Sequence, residues 1–146
     1  MIKTSTGLAA SLMVTDSFVG IMDLCKIKIF SGSEPATADA AETGTLLLTI
    51  TNNSTATGLT WEAAATGRSA LKKSAETWSG VVANSATAGY FRIVAAGDTG
   101  VLSTTEARVQ GVVGNTASAD LFFTNPALTS GDTKTLAAFS VELPTN

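Results

Sequence analysis

Asp39-x-x-Glu42 and the turn aspartates Asp98 and Asp132 are the residues whose type and placement come nearest to chemistry. Together they could supply the hard oxygen donors that a calcium ion requires. No loop carries the dense alternating Asp/Asn pattern of a dedicated calcium loop, and ordinary turn chemistry accounts for these aspartates. Glu34, Asp39, Glu42, Glu62 and Glu76 could in principle provide a glycosidase acid/base pair. They fall in loops or singly on strands, with no aromatic cluster to cradle a sugar. The chain contains no histidine, which removes the commonest general base and the commonest metal ligand. Ser-His-Asp and Cys-His sites are therefore excluded within this sequence. Cys25 is the one cysteine, lacks an activating base, and reads as a buried structural residue. Gly97-Asp98-Thr99-Gly100 lacks the GK[ST] of a phosphate loop and leads toward a strand. The aromatic set Trp61, Trp78, Tyr90, Phe91, Phe122 and Phe123 could form a carbohydrate platform, but such residues more often build cores and interfaces. The expectation is a non-enzyme with no catalytic residue, no metal ligand and no cofactor.

Composition points the same way. At 146 residues the chain is long enough for one domain with a sizeable core and no disulfide or metal. Charged residues make up 14 %, against about 25 % in an average globular protein, and Thr, Ala, Ser and Gly fill the deficit. With a net charge of −3 there is little electrostatic protection against association, so part of the surface is expected to lie against copies of itself or a partner. The nine basic residues are scattered, Lys72-Lys73 being the one adjacent pair; nucleic acid is not an expected partner. No run approaches the ~18 apolar residues of a membrane span. The apolar stretch 8–14 is too short and too interrupted for a signal peptide. Synthesis in the cytoplasm without export by that route is expected.

The elements that must carry these residues are mostly strands. Residues 4–23 read as one helix capped by Ser5 or Thr6, with Leu8, Leu12, Val19 and Met22 on one face and Phe18 and Ile21 widening it. Thr15-Asp16-Ser17 could instead restart it as two pieces. Beyond Asp23 the period becomes two: Lys26, Lys28 and Phe30 alternate with Ile27, Ile29 and Ser31. Strands are expected at 25–31, 45–52, 59–64, 69–73, 80–83, 88–96, 105–113, 119–124 and 135–143. Turns fall at Asn52-Asn53-Ser54, Ala65-Thr66-Gly67, Asn84-Ser85, Gly97–Gly100, Gly114-Asn115, Asn125-Pro126 and Ser130-Gly131-Asp132. The fold class is all-β: an antiparallel β-sandwich, jelly-roll or Ig-like, with one N-terminal helix. It forms a single domain, 1–146, divided into a helical segment 1–23 and a sandwich 24–146. On the strand through Tyr90–Val94, Tyr90, Arg92 and Val94 share one face while Phe91 and Ile93 take the other. Arg92 reads either as an exposed strand-face arginine or as an inter-subunit ion-pairing or stacking group.

Residues 26–50, KIKIFSGSEPATADAAETGTLLLTI, are followed by a Trp-containing middle, then TAGYFRIVAAGDTGVL, then a segment ending GNTASADLFFTNPALTSGDTKTLAAFSVELP. This order resembles a group of small tailed-bacteriophage virion proteins, in which an I-Y/F-S-G-x-x-P-x-x-A-D…G-x-L-L segment precedes a G-x-A-x-x-F-R strand. The resemblance covers nearly the whole chain. It implies virion assembly and a β-sandwich, and it carries over no catalytic residue. The expected function is that of a capsid decoration or cement protein, bound to the major capsid protein and stabilising the shell through protein–protein contacts. A tail, neck or baseplate component, or a carbohydrate- or receptor-binding module, is the alternative. A homotrimer located in the virion, made in the host bacterial cytoplasm, is expected. Leu8, Leu12, Phe18, Val19, Met22 and Arg92 are the candidate partner contacts, the helix serving either as an arm or as a lid over one open face.

Overall fold

The computed structural model describes residues 1–63 and 69–142. Position 64 of the expected strand 59–64, the turn Ala65-Thr66-Gly67 and position 143 of the expected strand 135–143 lie outside the described residues. The elements run β1 (Lys3–Thr4), α1 (Thr6–Val14), α2 (Phe18–Ile21), β2 (Lys26–Ser31), β3 (Leu46–Asn52), β4 (Ser69–Leu71), β5 (Trp78–Val81), β6 (Ala86–Val94), β7 (Arg108–Gly114), β8 (Leu121–Phe122), β9 (Ala127–Leu128), β10 (Thr133–Leu136) and β11 (Ser140–Glu142). A nine-stranded sheet has the order β1-β7-β6-β2-β3-β5-β10, with β8 alongside β7 and β9 alongside β6. A two-stranded ribbon, β4–β11, forms the second sheet. Among the described residues all strand pairings are antiparallel except β7–β8. The all-β class with a small helical N-terminus is thus as the sequence implies, with the two sheets very unequal in size.

Period-two patterning sets the central register. Ile27 stands between Ile50 and Ile93, Ile29 between Leu48 and Phe91, and Ile93 pairs onward with Val109. These side chains form the inner face and are fully or almost fully buried. The ribbon's neighbour Phe139 stands edge-on to Phe91, with centroids 6.1 Å apart. Trp61 and Trp78 meet in a T-shaped pair at 5.2 Å. Burial of such large apolar side chains stabilises the fold by roughly 1.5–3 kcal/mol each. The aromatic residues that could have made a sugar platform are therefore mostly core: Trp61, Trp78, Tyr90 and Phe91 are buried, while Phe122 stays exposed.

The N-terminal segment forms two helices, broken where Thr15-Asp16-Ser17 allowed it. Ser17 caps the second, its Oγ accepting from the Gly20 N–H at 3.2 Å. Ser5 caps the first and also pairs with β7. Its Oγ accepts from the N–H groups of Leu8 and Arg108 and donates to the Glu106 carbonyl, and its own N–H donates to the Arg108 carbonyl. Gly7 sits so close to the backbone of Thr105 and Glu106 that any side chain there would collide with it. This close approach seats α1 against the segment that leads into β7.

That seating corrects the contact assignment. Leu8 and Met22 are fully buried core residues, so neither is free to touch a partner. Phe18 and Val19 are partly buried and pack on the same core, Phe18 edge-on to Trp61 at 5.1 Å. The Trp61 indole N–H then donates to the Met22 carbonyl at 3.0 Å. The segment is a lid, held because its apolar residues complete a core that the strands leave open.

Candidate functional site: a clasped loop and an apolar helix tip

The outer face of the central strands carries Lys28 on β2, Tyr90 and Arg92 on β6, and Arg108 and Gln110 on β7. Arg92 stands opposite both Lys28 and Gln110 in register. Such a face would ordinarily meet water. Here the strap between β2 and β3, residues 32–45, crosses it and is fastened through its own main chain. Arg92 Nη1 donates to the Ala40 carbonyl at 2.9 Å. Arg108 Nη1 donates to the Asp39 carbonyl at 3.2 Å, and Gln110 Nε2 to the Pro35 carbonyl at 2.7 Å. The Tyr90 hydroxyl donates to the Thr43 carbonyl and accepts from the Thr43 N–H. Arg92, Arg108 and Gln110 are completely buried as a result. Arg92 is thus neither an exposed strand-face arginine nor a subunit contact, because the chain's own loop covers it.

One carboxylate anchors this layer. Asp98 takes a bidentate pair from Arg108, Nε to Oδ2 at 2.6 Å and Nη2 to Oδ1 at 2.7 Å, with both side chains inaccessible. Burial works against the Asp98 charge, but the Arg108 hydrogen bonds and the Gly100 N–H outweigh it and hold the carboxyl below its ordinary range. The Asp98 hydrogen bonds raise Arg108 in turn. Arg92 is lowered, first by burial and then by the neighbouring Arg108 charge. At the rim Lys28 Nζ meets Glu42 Oε1 at 2.8 Å, Lys3 pairs with Glu34, and the Asp39 carboxylate accepts from the N–H and hydroxyl of Thr6 at the start of α1.

The candidate calcium ligands are therefore committed elsewhere: Asp39 to Thr6, Glu42 to Lys28, Asp98 to Arg108, and Asp132 to Lys134 at 3.6 Å. No group of three or more His, Cys, Asp or Glu residues that could hold a metal ion occurs among the described residues. Glu76 is held by Thr60 and by the Trp78 indole N–H. Burial opposes its charge, yet these bonds keep it below the ordinary glutamate range. Cys25 is buried, and that burial, only partly offset by hydrogen bonding, pushes its thiol up to about 12. Native protein at pH 8 is expected to leave a thiol-specific chromogenic disulfide unreacted, with one equivalent released on adding denaturant. Rapid labelling of the native protein would contradict this burial.

Outside, the exposed apolar surface gathers at a few places. No charged residue stands between Lys3 and Asp16. At the C-terminal end of α1, Met13 is 83 % and Val14 86 % exposed, with Leu12 less so. Leu12 is the one residue of the expected contact set that remains at this surface. Met13 and Val14 were missed because a helical face drawn through Leu8 and Met22 turns them away from it. Val101 and Leu102 are likewise exposed, on the loop whose Val101 carbonyl accepts from Arg108. A groove of about 770 Å³ lies between 120–125 and 134–140, with Phe122 58 % exposed on its wall. No helix among the described residues is long and apolar enough to cross a membrane. Comparison with models of protein families, with curated proteins and with solved structures finds no match to this chain.

Proposed function

We propose that this chain is a non-enzymatic structural protein of a tailed-phage virion, acting as a capsid decoration or cement protein. It would bind the major capsid protein as a homotrimer and stabilise the shell through protein–protein contacts, after synthesis in the cytoplasm of the host bacterium. The observation that carries this reading is the distribution of charge. Arg92, Arg108 and the Asp98 carboxylate are drawn inward beneath the strap, while a charge-free helix presents Met13 and Val14 to solvent. An uncharged apolar tip on a rigid β domain suits the desolvated centre of a protein interface and offers nothing to a phosphate or a polar substrate. The resemblance in residues 26–50 and in the strand around Phe91-Arg92 adds the virion context. A specific contact needs about 1,000 Å² or more of buried area. The tip would therefore be its centre, with other surface from the chain completing it.

Co-sedimentation with expanded, undecorated shells tests the reading. Saturable binding at a fixed ratio to the major capsid protein is the expected result. No binding by folded protein would sink the decoration role and leave a tail or neck position to be tested on tail preparations. The double substitution M13E/V14E is expected to weaken shell binding at least about tenfold, with an unchanged thermal midpoint because both side chains already face water. Undiminished binding would remove α1 from the interface.

A further inference from the structure

The N-terminal lid is held by the sandwich as a ligand is held. Its hydrogen bonds and ion pairs reach residues far along the chain: Met1 to Asp120, Lys3 to Glu34, Thr6 to Asp39, and Ser5 to Glu106 and Arg108. Lys3 and Thr4 pair with β7, while Leu8 and Met22 fill the core. None of these contacts requires lid and sandwich to belong to the same chain. The covalent junction between them is short. Met22 is fixed in the lid's seat by the Trp61 indole N–H, and Cys25 is fixed to the sandwich by its bridge to Leu59. Only Asp23 and Leu24 lie between.

That junction is also strained. Leu24 has a φ of 57°, in the left-handed region where the β-carbon of an L-residue crowds the following carbonyl oxygen. The other described non-glycine residues with such a φ are Asn53 and Ser54 in a turn. The Leu24 side chain is 47 % exposed, so its burial does not offset the conformation. A long bond closes the turn, Cys25 N–H to the Met22 carbonyl at 3.4 Å. A short strained connection to an element that docks as a unit is the setting for exchange between identical chains. We propose that the lid is exchanged between copies of this chain, residues 1–22 of each seating on the sandwich of the next with Asp23 and Leu24 extended as the hinge. Leu8 and Met22 then stay buried, in a neighbour's core instead of their own. The extended hinge spans about 10 Å from Met22 to Cys25, so neighbouring copies must meet near the starts of their β2 strands. Reciprocal exchange closes a dimer and cyclic exchange a trimer; neither depends on shell binding.

A tethered lid meets its own seat at an effective concentration in the roughly millimolar range, and relief of the left-handed leucine favours the open form by about tenfold per hinge. The full chain is therefore expected to sediment as a monomer when dilute and as an oligomer above about 50 µM. Leu24→Gly removes the strain and leaves every lid contact in place, and should raise that concentration at least about tenfold. Isotopically light and heavy chains refolded together report where each lid sits. A water-soluble carbodiimide joins Lys3 to Glu34 as an amide. In oligomers whose intact mass shows both kinds of chain, light Lys3 peptides linked to heavy Glu34 peptides are expected. Linked peptides that always come from one chain in such mixed oligomers would overturn the exchange, as would a protein still monomeric at about 1 mM. An unchanged assembly concentration in Leu24→Gly would overturn the strained hinge as its cause.

Discussion

A chain lacking residues 1–23 is expected to remain unfolded, without the dispersed amide spectrum or cooperative melt of the full protein. The segment contributes Leu8 and Met22, both with no solvent exposure, and packs Phe18 and Val19 on the same core. Losing one buried leucine or methionine side chain costs about 2–5 kcal/mol, and the truncation removes two along with the pairing of Lys3 and Thr4 to Val109 and Gln110. It also strips the Ser5 contacts from Arg108 and uncovers Trp61. Those losses together match or exceed the roughly 5–15 kcal/mol by which a domain is stable. A truncated chain with a native-like spectrum would show that the segment is an appended arm. A gentler version is Gly7→Val, which should undock α1 by collision with the Thr105–Glu106 backbone, visible as faster amide exchange in the helix.

Replacing Asp98 by alanine is expected to lower the unfolding free energy at pH 7 by about 3–5 kcal/mol, the usual cost of leaving one member of a buried ion pair uncompensated. The unpaired Arg108 would still be sealed beneath the strap, with only carbonyls around it. The pH dependence has a definite sign. The folded carboxyl is held below its ordinary range, so its stabilisation is complete above the unfolded aspartate pKa of about 3.9. It is lost as the pH falls through the lower folded value. Denaturant midpoints of the unmodified protein and of Asp98→Asn should therefore diverge at neutral pH and draw together as the pH falls below the unfolded aspartate pKa of about 3.9. A gap of less than about 1 kcal/mol at pH 7 would mean that this pair does not hold the strap.

Much of the fold was legible because strands declare themselves by alternation. Lys26–Ser31 lies almost where its period-two pattern puts it and Leu46–Asn52 almost where its apolar run does, whereas the expected strand 59–64 forms only isolated bridges at Leu59 and Trp61 and 135–143 is divided between β10 and β11. What alternation does not reveal is what covers a face. It separated Arg92 from Phe91 correctly, yet gave no sign that both faces were buried. The strap is built of Ser, Gly, Ala, Thr and Glu with one Pro and one Asp, and has no apolar periodicity. It is fastened through carbonyls, which every residue has, so its sequence carries almost no mark of its role. Arg92, Arg108 and Gln110 at even spacings on predicted strands were the available hint that a polar face needed a partner. The helical segment, readable from sequence as either an arm or a lid, stayed undecided for the opposite reason. Its apolar stripe was real, but a stripe does not say whether it meets the chain's own core or a neighbour, and the Gly7 contact that decides it joins residues about a hundred positions apart.

The pairing of Lys3 with Gln110 also orders events in time. Lys3 and Thr4 belong beside strand 108–114, which is made about a hundred residues later, so α1 and α2 have nowhere to dock until that strand has emerged. Until then Leu8, Phe18 and Met22 lack the core they pack into. Closure by so distant a partner places folding toward the slow, millisecond-to-second end of the range. The sheet can then be completed only when most of the polypeptide has emerged, favouring post-translational collapse in one cooperative step over piecemeal growth from the N-terminus.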